Sequence, residues 1–338
     1  MPARLSDAFK SHPLNLQLKH PDFSSLQELP DSYAWSQNDD QYPSSPGSFG
    51  AEQDSVPVID LSDPNALKLT GHACRTWGVF QVTNHGIPSK LLDDIESAGR
   101  SLFSLPVQQK LKAARSPDGI SGYGFARISS FFQKLMWSEG FTIVGSPLDH
   151  FRQLWPQDYN KFCNIIEEYE KRCIRCLTIE FVPGLPGPGS GHGFGSTYDS
   201  TLLTILYQNN TSGLQVLREG TGWVTVPPLP GALVVNVGDL IHILSNGLYP
   251  SVLHRAVVNR SRHRLSIAYL YGPPASVQIS PLSKLLGPSQ PPLYRPITWN
   301  EYLGTKAKHF NKALSSVRLC APLNALVDVS DHNSVKVG

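Results

Sequence analysis

Apolar residues are spaced along the chain in two different ways, and the first spacing is helical. After the Pro88-Ser89 pair, Leu91, Ile95, Ala98 and Leu102 recur at intervals of three and four. This spacing predicts a helix of about four turns. A second run with the same intervals predicts a longer helix that includes Tyr159, Phe162, Ile166, Tyr169, Cys173 and Cys176.

The second pattern consists of short apolar runs rich in β-branched and aromatic residues, which are typical of strands. VPVID at 56–60 and GVFQVTN at 78–84 predict two strands that flank a helix-like stretch. From residue 200 onward the runs are separated by turn residues and read TLLTILY, GLQVL, WVTV, ALVVNV, LIHIL, VLHRAVV and RLSIAYLY. Such a succession predicts a β-sandwich or jelly roll.

Composition and charge favour a small-molecule role. Lys and Arg total 29 against 27 Asp and Glu, and a net charge of +2 gives no strong field to attract nucleic acid or an anionic membrane. The N-terminal sequence has no apolar core of signal-peptide length, and no segment reaches the ~18 apolar residues of a spanning helix. We therefore expect a cytoplasmic monomer with a small-molecule substrate and no nucleic-acid or membrane partner.

The five cysteines are too few for a disulfide scaffold, and their odd number fits reduced thiols. Cys173 and Cys176 form a C-x-x-C pair, but no second pair or nearby His cluster completes a zinc site. Their positions in the second helical pattern predict that both lie on an apolar helix face in the core. A structural zinc site is the alternative.

Three polar residues stand out among the apolar strands, namely Asp199, His254 and Arg264. An Asp and a His at the mouth of a barrel suit iron(II), whose two-His-one-carboxylate face leaves positions open for other ligands. Arg264 can grip a dicarboxylate, and Ser266 shares its strand face because side chains alternate. Taken singly, each residue also has a structural interpretation: Asp199 caps a turn, His254 is a core histidine and Arg264 lies on an exposed strand face.

Three long segments, 199–228, 236–274 and 299–318, closely resemble gibberellin 3-beta-dioxygenases of the iron(II)/2-oxoglutarate-dependent dioxygenase superfamily. VPVIDL and WGVFQVTNHGIP resemble the leading domain of that superfamily. The resemblance implies Fe2+ as cofactor, 2-oxoglutarate and O2 as co-substrates, and 3-beta-hydroxylation of gibberellin precursors to active plant hormones. By matching position it implies that Asp199 and His254 are iron ligands, that Arg264 and Ser266 bind the far carboxylate of 2-oxoglutarate, and that His85 is structural.

The expected fold class is mainly β with flanking helices, with a double-stranded β-helix (jelly roll) core preceded by an α/β N-terminal domain. Residues 1–55 are expected to form a flexible lead, because the stretch before Val56 is rich in Ser, Gly, Pro, Asn and Asp. An N-terminal oxygenase domain with helices is expected at 56–172. The remaining divisions are an aberrant segment at 173–198, the jelly-roll core with a C-terminal helix at 199–318, and a tail at 319–338.

One expected iron ligand is missing. The family has His-Thr-Asp where this chain has Thr197-Tyr198-Asp199, and the family's Asn-x-Tyr-Pro strand is absent. A family stretch, YPACPDPDRAMGLAAHT, written in chosen synonymous codons and read one base out of frame, spells Val182 through Tyr198. We therefore interpret residues 173–198 as a frame-shifted segment, produced by a lesion in the gene or by a faulty exon prediction.

This departure leaves two interpretations of function. One is an active dioxygenase with no catalytic residue beyond its metal centre. The other is a catalytically impaired or non-functional remnant, or a mis-predicted gene model, of such an enzyme. Rescue of the missing ligand by His192 or His242 is a minor alternative. With only Asp199 and His254, iron affinity is expected to fall steeply because each lost ligand removes binding energy.

Overall fold

The protein is seen here as a computed structural model that describes residues 22–23, 25–26, 28–35, 55–172, 176–184, 195–259 and 261–319. Its strands are β1 (Val58–Asp60), β2 (Val79–Thr83), β3 (Gly122–Gly124), β4 (Glu139–Val144), β5 (Cys176–Val182), β6 (Leu203–Gln208), β7 (Leu214–Arg218), β8 (Gly222–Thr225), β9 (Leu233–Val237), β10 (His254–Ala256), β11 (Arg264–Tyr271), β12 (Gln278–Ile279) and β13 (Ile297–Thr298). Its helices are α1 (Ala66–Thr76), α2 (Ser89–Phe103), α3 (Val107–Lys110), α4 (Leu148–Leu154), α5 (Tyr159–Arg172), α6 (Asp239–Leu244), α7 (Trp299–His309) and α8 (Ala313–Ser316). Short 3-10 turns lie at Asp31–Tyr33, Leu111–Ala113, Arg127–Phe131, Ser283–Leu285 and Phe310–Lys312.

Two sheets build the core. The larger has eight strands in the order β1-β2-β9-β6-β11-β5-β4-β3, and the smaller has three in the order β10-β7-β8. A single bridge between Thr197 and His254 continues the smaller sheet beyond β10. The strands β12 and β13 form a separate pair. This arrangement of two facing sheets agrees with the predicted jelly roll.

The two faces of the larger sheet have different partners because side chains alternate along each strand. One face packs against α1, α2, α4 and α5 in a buried cluster that includes Ile95, Ile166, Ile179, Leu265 and Ile267. The opposite face meets the smaller sheet in a second cluster, formed by Val79, Leu206, Leu214, Val216, Val224 and Val234 with their neighbours. The polar residues Arg264 and Ser266 alternate with Leu265 and Ile267, so they point between the two sheets.

The helical spacing is confirmed where it is regular. The helix α2 begins after Pro88, spans 15 residues and buries Leu91, Ile95, Ala98 and Leu102. The helix α5 ends at Arg172 and buries Ile166 and Tyr169 against the sheet. The strands at VPVID and GVFQVTN and the helix between them are present as β1, β2 and α1.

The run LIHIL, which predicted a strand, is instead part of the helix α6. An apolar run this short fits the residue spacing of a helix as well as that of a strand, and its length does not distinguish the two structures. Here Leu240 and Ile243, three residues apart, are both fully buried, while the backbone N–H of His242 donates to the carbonyl of Gly238 at 3.2 Å. The extended Gly238 at the helix start provides the turn into the helix.

The prediction for the C-x-x-C pair is also wrong for Cys176. Cys176 begins the strand β5 and does not continue α5, and Cys173 lies outside the described residues. Buried Leu177 and Ile179 alternate with the less buried Thr178 and Glu180, as in a strand. The helical prediction considered only the spacing of three and four residues and did not take this alternation into account. Among the described residues no group of three or more His, Cys, Asp and Glu could hold a metal ion, and the alternative zinc site is not tested because Cys173 lies outside them.

Some residues within the predicted lead of residues 1–55 pack against the rest of the fold. Tyr33 and Trp35 are each only 5% exposed, and Phe23 and Tyr33 both make edge-to-face contacts with Trp137. These aromatic side chains supply apolar area that the polar stretch before Val56 lacks. Residues 36–54 lie outside the described part of the chain.

The strands of the predicted N-terminal domain and of the predicted core share one sheet. The strands β1 to β4 come from residues 56–172, yet β2 pairs with β9 and β4 pairs with β5. Within the segment 173–198, residues 176–182 form β5 between β4 and β11, and residues 185–194 lie outside the described residues. Among the helices described, none is both long and apolar enough to cross a membrane.

Candidate active site

Asp199 and His254 face each other at the edge of the smaller sheet. His254 Nε2 lies 3.7 Å from Asp199 Oδ1, and both side chains are largely buried. His254 Nδ1 lies 3.1 Å from the carbonyl oxygen of Val252, which can only accept a hydrogen bond, so Nδ1 carries the proton. Nε2 faces Asp199, and in the neutral ring its lone pair is free to bind a metal, as in a metal-binding histidine.

Thr197 stands beside this pair, where the family has a histidine. Its backbone N–H donates to the carbonyl of His254 at 2.9 Å, and the N–H of His254 donates back at 3.0 Å. Residues paired in this way have side chains close together on the same face. The hydroxyl of Thr197 donates to the carbonyl of Tyr198 at 3.2 Å.

These side chains meet only part of the requirement for iron(II). Asp199 and His254 supply a carboxylate oxygen and an imidazole nitrogen on one side of a cavity, but among the described residues no third His, Cys, Asp or Glu lies close enough to complete a metal-binding group with them. Thr197 offers only a neutral hydroxyl, which is a weak substitute for imidazole. Two of the three iron ligands expected from the family are therefore present, and the third is not.

Arg264 and Ser266 form a second polar group in the same cavity. Arg264 is 2% exposed, and its Nη1 and Nη2 donate to Ser266 Oγ at 3.1 Å and to Gln208 Oε1 at 3.2 Å. Arg264 Nε and Gln208 Nε2 are buried with no hydrogen-bond partner among the described residues. Buried donors without acceptors are costly, so this group fits a carboxylate ligand such as that of 2-oxoglutarate.

Asn236 on β9 and Asp239 on α6 support Asp199, the first through its side chain and the second through its backbone. Asn236 Nδ2 donates to Asp199 Oδ2 at 3.3 Å. The backbone N–H of Asp239 donates to the carbonyl of Asp199 at 2.7 Å, and the carboxylate of Asp239 accepts from Tyr302 Oη at 2.7 Å. The C-terminal helix α7 is thereby connected to the site.

Glu180 is the site residue that the sequence reasoning missed. It lies on β5, directly opposite Ser266 on β11, and lines the same cavity as Asp199, His254 and Arg264. Burial raises the pKa of its carboxyl group, and this effect is opposed by the Arg264 guanidinium and by a hydrogen bond from Ser138. An acidic residue within the apolar run CLTIEFV was the available signal.

Two cavities share part of their lining. One, of about 150 Å³, is lined by Thr197, Asp199, His254, Arg264 and Ser266 among others. The second, of about 270 Å³, shares Glu180 with the first and is lined mainly by apolar groups, which include Ile120, Ile128, Leu270, Trp299 and Leu303. The first cavity, here called the polar cavity, holds the charged and polar side chains of the site, and a larger apolar pocket beside it suits a large apolar substrate next to a small polar co-substrate.

The other histidines considered are not part of this group. His85 Nε2 lies 2.7 Å from the carbonyl oxygen of Gly231, in agreement with a structural role. His242 on α6 is held between the Tyr249 carbonyl and the Tyr294 hydroxyl, at 2.9 and 2.8 Å. His192 lies outside the described residues.

Two family models match the chain. The model of the 2OG-Fe(II) oxygenase superfamily matches residues 173–273. The model described as non-haem dioxygenase in morphine synthesis N-terminal matches residues 56–159. Together the two models cover more than half of the chain.

Curated relatives match over almost the whole length. Gibberellin 3-beta-dioxygenase 1 of Pisum sativum is 59% identical over 371 aligned positions, which cover 99% of each chain. Gibberellin 3-beta-dioxygenase 1 of Arabidopsis thaliana is 54% identical and covers 94% of this chain and 99% of its own. Since this chain has 338 residues, the first alignment contains gaps in it.

Solved structures show the same architecture. A crystal structure of JOX2 in complex with 2OG, Fe and JA has a TM-score of 0.74 at 30% identity and covers 88% of this chain and 96% of its own. A dioxygenase for auxin oxidation from rice has a TM-score of 0.66 at 25% identity and covers 78% and 100%.

Proposed function

Because the chain belongs to the gibberellin 3-beta-dioxygenase family of the 2OG-Fe(II) oxygenase superfamily, we propose that it 3-beta-hydroxylates gibberellin precursors. The family uses Fe2+ as cofactor, with 2-oxoglutarate and O2 as co-substrates. The expected family, fold class and cofactors are thus confirmed at the level of the family. The residues of this chain that perform the reaction, and its substrate, are the subject of the proposal.

The convergence of Asp199, His254, Arg264 and Ser266 on one cavity is the observation that supports this function. Asp199, held by Asn236, and His254, held by the Val252 carbonyl, would be the metal ligands. Arg264 and Ser266 would bind the carboxylate of 2-oxoglutarate farthest from the metal, because a guanidinium and a hydroxyl side by side match a carboxylate. The metal ion, when bound, supplies oxygen activation.

The adjoining apolar cavity would hold the gibberellin. Its apolar walls exclude water from the reacting groups, which strengthens every charge interaction inside. Glu180, shared by both cavities, marks the boundary between substrate and co-substrate. The near-neutral net charge of +2 supports the absence of a nucleic-acid or membrane partner, and we propose a cytoplasmic monomer.

A second candidate function, a catalytically impaired remnant, is favoured by Thr197. Loss of an outer partner of a metal ligand typically reduces metal affinity about 10- to 100-fold, and loss of a ligand itself costs at least as much. With a hydroxyl in place of an imidazole, this chain would bind iron(II) too weakly to turn over at ordinary metal concentrations. The two functions differ in what Thr197→His does.

The test compares the chain with its Thr197→His variant, each supplied with iron(II), 2-oxoglutarate and a gibberellin precursor. We expect the variant to bind iron(II) at least about tenfold more tightly by calorimetry, and to release more succinate and 3-beta-hydroxylated product. Thr197→Ala is the matched control, because it changes the same position without adding a ligand.

Each outcome decides between the functions. Iron-dependent succinate release by the unchanged chain supports the active enzyme. Release by Thr197→His alone supports the remnant. If neither protein releases succinate, or if the double variant Thr197→His/His254→Ala remains as active as Thr197→His, the proposed site is wrong.

A further inference from the structure

The segment 196–200 is called here the ligand segment, because it carries two of the three expected metal-ligand positions. Its backbone carbonyl groups accept hydrogen bonds from the C-terminal part of the fold. Trp299 Nε1 on α7 donates to the Ser200 carbonyl at 2.7 Å. Asn311 Nδ2, just beyond α7, donates to the Ser196 carbonyl at 3.1 Å. The helix α7 and the turn after it therefore hold both ends of the ligand segment.

The helix α6 holds the middle of the ligand segment. The backbone N–H of Asp239, the first residue of α6, donates to the Asp199 carbonyl at 2.7 Å. The next N–H, of Leu240, donates to the Thr201 carbonyl at 3.0 Å. The first N–H groups of a helix have no acceptor within the helix, so these carbonyls satisfy them. The position of the Asp199 backbone therefore depends on the position of α6.

Lys306 on α7 in turn holds the first residue of α6. The side chain of Asp239 is 1% exposed, and its Oδ2 accepts from Tyr302 Oη at 2.7 Å and lies 3.3 Å from Lys306 Nζ. Asp239 Oδ1 has no hydrogen-bond partner among the described residues. A buried carboxylate is costly unless it is paired, so the ammonium of Lys306 stabilises Asp239 in this position.

Lys306 also contacts the ligand segment directly. Its Nζ lies 5.5 Å from the centre of the Tyr198 ring, a distance at which an ammonium is attracted to an aromatic face. Thr197 and Asp199 line the polar cavity, whereas Tyr198 between them lines a separate cleft. A Tyr198 ring held on that side keeps the side chains of its two neighbours directed into the polar cavity.

We propose that Lys306 is a positioning residue that holds the ligand segment through two contacts, one with Asp239 and one with Tyr198. The inference rests on the proposed function, since it concerns the metal side of the same site. With the segment held, Asp199 Oδ1 stays near His254 Nε2, at 3.7 Å in the structure, so the two metal ligands are arranged before the ion binds. Loss of the Lys306 ammonium removes both contacts and loosens this arrangement.

Hydrogen exchange on the full chain without metal tests whether Lys306 positions the segment. Lys306→Met removes the charge and keeps an unbranched side chain. The Thr197 and His254 amides donate to each other's carbonyls, and we expect them to exchange at least about tenfold faster relative to the amides of β11. The β11 amides lie at the centre of the larger sheet and report opening of the whole fold, so this ratio removes a general loss of stability.

Lys308→Met is the matched control, because Lys308 is an exposed lysine on the same helix. It should leave the exchange ratio unchanged within about twofold, as surface substitutions usually do. If Lys306→Met does not fold, the double variant Lys306→Met/Asp239→Asn replaces it. The double variant leaves no unpaired buried charge, but the contact with the Tyr198 ring is still lost, so the ratio should still rise.

Ligand binding tests the consequence for the site. When Lys306→Met is added to Thr197→His, the binding of iron(II) measured by calorimetry should weaken at least about tenfold, as it does when an outer partner of a metal ligand is lost. Glutarate has the two carboxylates of 2-oxoglutarate but lacks the keto oxygen that chelates a metal. Its affinity should stay unchanged, because Arg264 and Ser266 lie on β11 and not on the ligand segment.

Equal acceleration of both groups of amides in the folded variants would overturn the proposal, since Lys306 would then only stabilise the fold. A similar rise of the ratio in Lys308→Met, or unchanged iron(II) affinity on adding Lys306→Met to Thr197→His, would also count against it. Failure of the proposed function gives a different result. If Thr197→His binds no iron(II), the metal site is wrong, while a raised exchange ratio still shows that Lys306 positions the segment. Succinate release by Thr197→His with an unchanged ratio rejects the inference and retains the function.

Discussion

At the scale of single residues, Gly213 determines where the Arg264 side chain can lie. A Cβ atom at position 213 would be 2.9 Å from Arg264 Cδ and 2.7 Å from the Val257 carbonyl oxygen. The N–H of Val257 also donates to the Gly213 carbonyl at 2.7 Å, so the two backbones are held close. The absence of a side chain at 213 is what admits the arginine.

We predict that Gly213→Ala weakens glutarate binding and destabilises the protein. The added methyl forces Arg264 or the backbone at Val257 to move, and overpacking of this kind costs about 1 to 3 kcal/mol in the free energy of unfolding. Urea denaturation and calorimetry with glutarate measure the two effects. Gly71→Ala is the control, because nothing lies within 4 Å of its Cβ position in α1 and Ala favours a helix. Unchanged stability and binding in Gly213→Ala would contradict the packing argument.

The sequence predicted the residues that converge on the site better than it predicted their partners. Asp199, His254, Arg264 and Ser266 were visible as polar interruptions of apolar strands, and the fold brings them to one cavity. Glu180, Gln208 and Asn236 are also polar residues on strands, but their importance depends on which strands are neighbours. Pairing of β11 with both β5 and β6 is a long-range outcome that spacing along one chain does not encode.

At the scale of elements, a buried ion pair joins α3 to the end of the sheet. Lys110 Nζ lies 2.5 Å from Glu139 Oε1, and both side chains are 4% exposed. The hydroxyl of Tyr123 on β3 also donates to Glu139 Oε1, and Lys110 donates to the carbonyl of Phe103 at 3.1 Å. The pair thus ties α3 and the end of α2 to β3 and β4.

We predict that Lys110→Met lowers the free energy of unfolding by about 3 to 5 kcal/mol, because it leaves the Glu139 carboxylate buried without its cation. The double variant Lys110→Met/Glu139→Gln should recover much of that loss, since no unpaired charge remains. Urea denaturation gives the values. Lys90→Met is the control, since the Lys90–Asp94 pair is solvent exposed and worth less than about 0.5 kcal/mol. A double variant as unstable as Lys110→Met would show that the charge is not the cause.

Helices and strands were predictable where the helical or the strand spacing of apolar residues continued over the whole element. The helices α2 and α5 and the strands β6, β9 and β11 agree with the sequence patterns. The run LIHIL is too short to discriminate between a strand and a helix, and its helical form depends on contacts of α6 with Asp199 and Tyr302. Cys176 was predicted to be helical because the helical spacing of apolar residues continues past Arg172, where the helix α5 ends.

At the scale of the whole molecule, residues 32–35 support one wall of the polar cavity from behind. The carbonyl of Ser32 accepts from the N–H of Leu135 at 2.8 Å, and Trp35 Nε1 donates to the Leu135 carbonyl at 2.8 Å. The neighbouring Met136 lines the polar cavity. Trp137 then donates to the Pro183 carbonyl at 3.1 Å, just beyond the strand that carries Glu180.

This chain of contacts predicts that Tyr33→Ala loosens the cavity wall as well as the N-terminal segment. Tyr33 packs edge-to-face on Trp137 at 5.3 Å, and loss of a buried aromatic ring costs about 3 to 5 kcal/mol. Part of this cost should appear locally, as faster hydrogen exchange at the Leu135 amide, because that amide bonds directly to Ser32. Tyr271→Ala removes the same ring from a position that is 39% exposed and should leave the Leu135 amide protected. If Tyr33→Ala lowers the midpoint of unfolding while the exchange of Leu135 stays unchanged, the N-terminal segment stabilises the fold without holding the cavity wall.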